Sequence, residues 1–325
     1  MQKQRKKESK QLEATMVGKY LNPKADLTFK LVFAEHKDLM MSLLNALLPL
    51  AEDAPITSLE YLTPELVPEK PAKKNSIVDV RCKDSLGRQF IVEMQMHWDD
   101  DFKKRVLLNA SKAIVRQADR GDKYRAIEPV FSLNLVNDDA FMPQAEEFYH
   151  SYAIVNVEHP DRSIEGLSFV FIELPKFQPK SMLEKKMAVL WLRFLTEINE
   201  DTREAPRELL ENEETSKALG IVEKSAMSDA QLYAYEEFML AIEDEQVLRE
   251  GALKRGLQEG LAKGMEEGLA KGMEEGLTKG RAEEKAKAKQ EKLETARKLK
   301  AMNLLTIAQI ADATGLSVEE IESLL

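Results

Sequence analysis

The segment Asp84-Ser85-Leu86-Gly87-Arg88 constrains this chain more than any other stretch, because it separates two short runs that read as neighbouring strands. Upstream lies Ser76-Ile77-Val78-Asp79-Val80-Arg81-Cys82, and downstream lies Phe90-Ile91-Val92-Glu93-Met94-Gln95-Met96. Runs of this kind around a turn segment read as a β-hairpin, and Gly87 tolerates the positive φ that a tight loop demands. With Ser85-Leu86-Gly87 as the loop, Asp84 faces Arg88, and counting outward along both strands brings Asp79 opposite Glu93. Strand side chains alternate between faces, so Gln95 shares the face of Glu93. Carboxylates opposed across a ladder lie ~5 Å apart at Cβ and repel unless positive charge sits between them. Such a pair is a ready seat for Mg²⁺, which takes oxygen from one or two acids and fills its shell with water and phosphate.

At 325 residues the chain can bury one good core and a second, smaller unit. Its 32% charged and 6% aromatic residues call for extended, solvated helix beside a globular part. A net charge of −10 argues against a uniformly basic nucleic-acid coat, so any such binding has to use a local patch. The single cysteine, Cys82, excludes an intrachain disulfide and a cysteine-based zinc site, and a reducing, cytoplasmic compartment fits. No apolar run of ~18 residues suggests a membrane span. The basic start, Met1-Gln2-Lys3-Gln4-Arg5-Lys6-Lys7, lacks a secretory apolar segment and reads as part of a disordered leader over 1–19.

Residues 24–49 read as one amphipathic helix, with Leu27, Leu31, Phe33, Leu43, Leu44, Leu47 and Leu48 at helical spacing and Pro49 as its stop. Ile56–Leu66, Ile77–Cys82 and Phe90–Met96 read as three strands. Helical periodicity returns over Asp99–Arg120, with Val106, Leu107, Ala110, Ile114 and Ala118 on one side and Gly121 beyond its end. Val130–Val136, Ser151–Val157 and Ser168–Leu174 continue the sheet. This order implies a mixed sheet with helices on its faces, in a core spanning 20–180. A helical region follows over 181–250, with a hinge around Glu200–Thr215.

The 251–300 segment carries Gly256, Gly260, Gly264, Gly268, Gly272, Gly276 and Gly280, every fourth residue, with Leu or Met after the first six. Charges alternate in sign at i, i+4 from Arg255 through Glu259 and Lys263 to Glu291, which supports a helix. The glycines cost roughly 6–7 kcal/mol against alanine. The charge pairs return only about 2–4 kcal/mol, so an isolated helix is expected to fray. A period-four stripe advances ~40° per repeat, and a partner would wrap it right-handedly. Two readings stand: an arm for self-association into a homo-oligomer, coiled-coil fashion, or a solvated spacer. Residues 301–325 read as two short helices around Thr314-Gly315-Leu316-Ser317, with Ala311, Gly315 and Ile321 at helix-turn-helix positions. Glu319, Glu320 and Glu322 would repel phosphate, which favours a packing cap.

On the helix after the Glu93 strand, Arg105, Lys112, Arg116 and Arg120 fall near one face, with Asn109 and Gln117 close by and Lys123 and Arg125 beyond. This is either a phosphate-holding surface or an ordinary solvated helix face. His97 follows Gln95 on the same face and reads either as an aid to proton transfer or, the favoured reading, as a strand-end surface residue; His36, His150 and His159 have no metal-ligand spacing.

Asp26-x-x-Phe29-Lys30, Asp79, Gly87 before Ile91-Val92-Glu93-Met94-Gln95, then Arg105, Gln117, Gly121-Asp122-Lys123-Tyr124 and Pro129-Val130 together carry a resemblance. From Asp26 to about residue 175 the chain resembles the Rpn family of recombination-promoting nucleases, also described as transposases, within the PD-(D/E)XK nuclease superfamily. The resemblance implies an α/β, restriction-endonuclease-like mixed sheet flanked by helices, followed here by the long helical arm and small cap. It implies Mg²⁺- (or Mn²⁺-) dependent hydrolysis of DNA phosphodiesters in recombination. Asp79 and Glu93 would hold metal with the Met94 carbonyl, and Asp26 would support the site. Gln95 stands where the superfamily pattern has Lys, which loses a positive charge beside the attacked phosphorus. Arg105, Lys112, Arg116, Gln117, Arg120 and Lys123 would hold DNA. A degenerate core that binds DNA or a partner without cleaving it remains the rival, with a strand-transferring transposase as a third reading.

Overall fold

The computed structural model describes residues 18–66, 76–118, 123–138, 140–179 and 186–324. Arg120 and the helix stop expected at Gly121 lie outside them, as does nearly all of the leader. The chain divides into two compact units, Met1–Asp244 and Glu245–Leu325.

In the first unit, helices α1 (Asp26–Phe33) and α2 (Lys37–Leu47) precede strands β1 (Leu59–Tyr61), β2 (Glu65–Leu66), β3 (Ser76–Ile77), β4 (Val80–Asp84) and β5 (Gln89–Gln95). Helix α3 (Phe102–Val115) leads to β6 (Val130–Val136), β7 (Tyr149–Val155) and β8 (Ser163–Glu173). Helices α4 (Lys186–Glu197), α5 (Arg207–Glu211) and α6 (Glu213–Ile221) follow, and the unit ends within the first turns of the long helix α7 (Asp229–Met302). The six-stranded sheet has the order β1-β4-β5-β6-β8-β7. Strands β1, β4 and β5 are antiparallel, β5, β6 and β8 run parallel, and β7 returns antiparallel on β8. The parallel step from β5 to β6 needs a crossover, which α3 supplies.

Side-chain alternation sorts the sheet into two packed faces. Val80, Cys82, Phe90, Val92, Leu133, Leu135, Val170 and Ile172 share one core with α1, α2, α4 and α6, including Phe29, Phe33, Leu43, Trp191 and Phe194. On the opposite face, Ile91 and Val130 meet Ala110 and Ala113 of α3, while Phe102 and Val106 pack on Val136, Phe141 and Phe171. The expected mixed sheet with helices on both faces is thus the fold observed.

Three expected elements are divided. The helix read over 24–49 is two helices, broken at Ala34–His36, where His36 is extended. Its hydrophobic phase is the same on both sides of the break, so spacing alone reads straight through it. The strand read over Ile56–Leu66 splits into β1, in the main sheet, and β2, which pairs with β3 in a separate two-stranded sheet. Pro64 lies between them and cannot donate to a ladder, although its carbonyl accepts the Val78 N–H at 3.2 Å. The strand read over Ile77–Cys82 likewise divides at Asp79, which sits in a bend between β3 and β4.

The second unit contains the glycine repeat within α7, with α8 (Ile307–Thr314) and α9 (Val318–Glu322) after it. The helix runs unbroken through every repeat glycine. Ala296 packs with Ile310, Leu316, Ile321 and Leu324, so the cap closes its own small core on the end of α7. Thr306 with Gln309 and Ser317 with Glu320 form capping boxes, and Gly315 takes the left-handed C-cap with φ +67°. The Lys300 ammonium donates to the carbonyls of Ile321 and Leu324, satisfying the last turn of α9.

Candidate active site

The site begins with the turn. The Asp84 carboxylate accepts from the backbone N–H groups of Leu86 and Arg88 at 3.0 and 2.9 Å and from Arg88 Nε at 2.7 Å. Gly87 closes the loop at φ +83°. This clip sets the register Lys83↔Gln89, Cys82↔Phe90, Arg81↔Ile91 and Val80↔Val92. One step further outward along both chains reaches Asp79 and Glu93. There the chain bends, and the Asp79 carboxylate turns to accept the Met94 N–H at 2.6 Å.

Glu93 is buried, and the Asn109 amide of α3 donates to its Oε1 at 3.1 Å. Burial pushes its carboxyl up to about 8, and the neighbouring Asp79 charge adds to the rise; the Asn109 hydrogen bond and the Arg105 charge oppose it. The Asp79 carboxyl is also raised, chiefly by burial, against the Met94 N–H and the charges of Lys30 and Arg105 that lower it. Asp26 adds to the rise. Two acids are therefore held together where both cannot comfortably ionise without a cation.

Gln95 is clasped at both ends of its amide. Its Oε1 accepts from Arg105 Nη2 at 2.6 Å, and its Nε2 donates to the His97 carbonyl at 2.6 Å. Arg105 also lies over the Phe102 ring at 5.0 Å and pairs with Asp99 at 3.4 Å. The spacing explains why one helix meets both strand residues. Four helical residues rise ~6 Å and two strand residues ~6.6 Å, so a helix antiparallel to β5 matches its repeat. Arg105 meets Gln95, Asn109 meets Glu93, and Ala113 packs with Ile91.

The remaining sequence-derived residues divide. Asp26 pairs with Lys30 at 2.6 Å on α1, and both charges reach Asp79. Lys112 is half-buried on α3. Arg116 donates to the Glu65 carbonyl at 3.1 Å, and the Gln117 amide clasps Glu128, accepting its N–H at 2.8 Å and donating to its carbonyl at 3.0 Å. These two tie the end of α3 to β2 and to the approach to β6. Lys123 is exposed, and Arg120 lies outside the described residues.

Lys30 is legible as a motif residue, but sequence reasoning gives neither it nor Asn109 a role at the acids. The i, i+4 spacing of Arg105 and Asn109 against the i, i+2 spacing of Gln95 and Glu93 was the available signal.

The donor set suits a divalent cation of the Mg²⁺ type. Asp79 and Glu93 offer carboxylate oxygens, and Asn109 Oδ1 is a buried oxygen without a hydrogen-bond partner. The set is thin: among the described residues, no group of three or more His, Cys, Asp and Glu converges. A cation held by two acids keeps room for water and phosphate oxygens. Among the described residues, no helix is long and apolar enough to cross a membrane.

A family model described as PD-(D/E)XK nuclease family transposase matches residues 23–252, more than two thirds of the chain. No curated protein and no solved structure matches.

Proposed function

The chain belongs to the PD-(D/E)XK nuclease family transposases, and on that premise we propose that it is a Mg²⁺- or Mn²⁺-dependent DNA endonuclease acting in recombination. Nucleases of this superfamily generally use divalent metals, and DNA is the substrate the family implies. One observation carries the reading: Asp79 and Glu93 lie one step beyond the Val80↔Val92 pair, both raised by burial and with the Asp79 charge acting on Glu93, an arrangement that costs free energy until positive charge enters.

Asp79, Glu93 and the Met94 carbonyl would hold the cation, with Asn109 fixing the Glu93 carboxylate. When bound, a divalent cation supplies Lewis acidity toward the phosphate and the attacking water. Asp26 and Lys30 set the field around Asp79 from α1. Arg105, Lys112 and Lys123 offer positive charge to the DNA backbone, as would Arg120. Arg116 and Gln117, engaged with backbone, support this reading through the placement of α3. The glycine repeat of α7 serves as a self-association arm, since every repeat glycine opens onto space free of the chain's own described atoms.

A non-catalytic core that binds DNA or a partner is favoured by one feature, the amide of Gln95 spent at both ends on its own chain. Supercoiled plasmid with Mg²⁺ separates the two. Nicking by the wild type that disappears in Asp79→Ala is the expected result, and equal nicking by both proteins sinks the site. Calorimetry with Mn²⁺ should show binding that depends on Asp79; a degenerate core shows none.

A further inference from the structure

The superfamily pattern PD-(D/E)XK runs from an acid through any residue to lysine, whereas this chain reads Glu93-Met94-Gln95. A neutral amide at that point leaves two carboxylates and an incoming phosphodiester without the side-chain cation the pattern carries. The structure places another cation against that amide. Arg105 Nη2 sits 2.6 Å from Gln95 Oε1, reaching across from α3 because helix and strand repeats match there.

We propose that Arg105, held in place by Gln95, takes over the motif lysine's position, so that the positive charge facing the scissile phosphate comes from helix α3 and not from strand β5. The inference rests on the nuclease reading above and gives Gln95 a defined part within it, that of a positioning residue.

Four features support it. Gln95 has no free polar end: one is on Arg105 and the other on the His97 carbonyl, so its amide orients the guanidinium. Arg105 is further guided by the Phe102 ring and by Asp99, whose contact at 3.4 Å is longer than the one to Gln95. Its side chain is 44% exposed, so a phosphate arriving from solvent can reach the fork. Its charge acts on both Asp79 and Glu93. Guanidinium offers five donors in a fixed plane and stays protonated, so it can bind phosphate oxygens bidentately yet cannot serve as a base. The attacking water must then lose its proton elsewhere.

The test compares the full-length wild type with Arg105→Ala, Gln95→Lys and the exchange variant Gln95→Lys/Arg105→Gln. Each is followed by plasmid nicking in Mg²⁺, by DNA affinity in Ca²⁺, and by Mn²⁺ calorimetry without DNA. Arg105→Ala should lower kcat about 10²–10³-fold, the loss typical of one charge-stabilising donor, with DNA affinity falling by a much smaller factor. Gln95→Lys alone should also lose activity, because it sets an ammonium against Arg105. The exchange variant returns one cation to the site and should recover to within about tenfold of wild type. Mn²⁺ should bind Arg105→Ala several-fold more tightly, since a nearby like charge has gone.

The proposal is overturned if Arg105→Ala weakens DNA binding and leaves kcat intact, which makes Arg105 a backbone anchor only. It is equally overturned if the exchange variant is as inactive as Arg105→Ala, or if Mn²⁺ affinity ignores the substitution. A wild type that never nicks refutes the nuclease reading instead, and the Mn²⁺ arm then still decides whether Arg105 belongs to the acidic site.

Discussion

The β4–β5 hairpin and the glycine repeat of α7 are the two most regular stretches of this protein, one with period two and one with period four, and they meet opposite fates. The acids and the amide of the hairpin all find donors or acceptors nearby: Asp84 has three donors, Asp79 has Met94, Glu93 has Asn109, and Gln95 has Arg105. Along the repeat, a Cβ added at any glycine from Gly251 to Gly280 meets nothing within 4 Å. Beside the glycines, Leu257, Leu261, Met265, Leu269, Met273 and Leu277 lie exposed. In the hairpin, tertiary packing closes the pattern and leaves a deficit of positive charge. In the repeat, nothing within the described chain explains the pattern, and the deficit is of apolar contact. The first points to a cation, the second to another helix.

Glu93→Gln tests the charge deficit most severely. Removing one of the two acids should cut Mg²⁺-dependent nicking by about 10³-fold or more, roughly 4 kcal/mol of barrier. The same change should raise the melting temperature of the metal-free protein at pH 8, because a buried like charge is gone. A variant that nicks normally would show that the hairpin acids are merely structural.

The pH dependence of stability follows in sign from the same groups. Glu93 and Asp79 hold their protons more tightly folded than unfolded. Between the ordinary carboxylate range and about 8 the folded state therefore binds more protons, and stability falls as pH rises. Tenfold tighter proton binding in the folded state is worth about 1.4 kcal/mol, so metal-free protein should melt several degrees lower at pH 8 than at pH 5. Added Mg²⁺ should remove most of the difference, and a flat profile in calorimetric scans would argue against the buried pair.

Glycine substitutions probe the two regions with opposite expected signs. Gly87 sits at φ +83°, and a Cβ there approaches Glu128 Cγ to 2.9 Å. Gly87→Ala should destabilise by about 1–2 kcal/mol in denaturant unfolding. In the repeat, Gly264→Ala and Gly268→Ala meet open space and should each stabilise the helix by about 0.8–1 kcal/mol, read by circular dichroism. Sedimentation should show weaker self-association in the paired variant with nicking unchanged. Association that persists or strengthens would place the contact elsewhere.

Much of the sheet was legible because its determinants are local. Alternation and turn chemistry placed the β4–β5 register, and Val130–Val136 was read to its ends. What stayed hidden depends on distant partners. The phase of α1 and α2 is continuous, so the break at Ala34–His36 leaves no periodic trace. At Asp79 the chain leaves one ladder for another, β3 pairing with β2 while β4 joins the main sheet, a choice of partners that the run's own alternation does not carry.

The sequence by itself placed the β4–β5 register, because a three-residue loop and a two-residue period fix each pair when counting outward, and that register sets Asp79 and Glu93 one step beyond the Val80↔Val92 pair. Only the tertiary structure decided what surrounds them. A helix face offers several residues to a strand, and the packing of α3 against β5 selects Asn109 for Glu93 and Arg105 for Gln95, while Arg116 and Gln117 turn to backbone. That selection rests on matching a helical rise to a strand rise across the sheet, a relation between two segments that neither one carries alone.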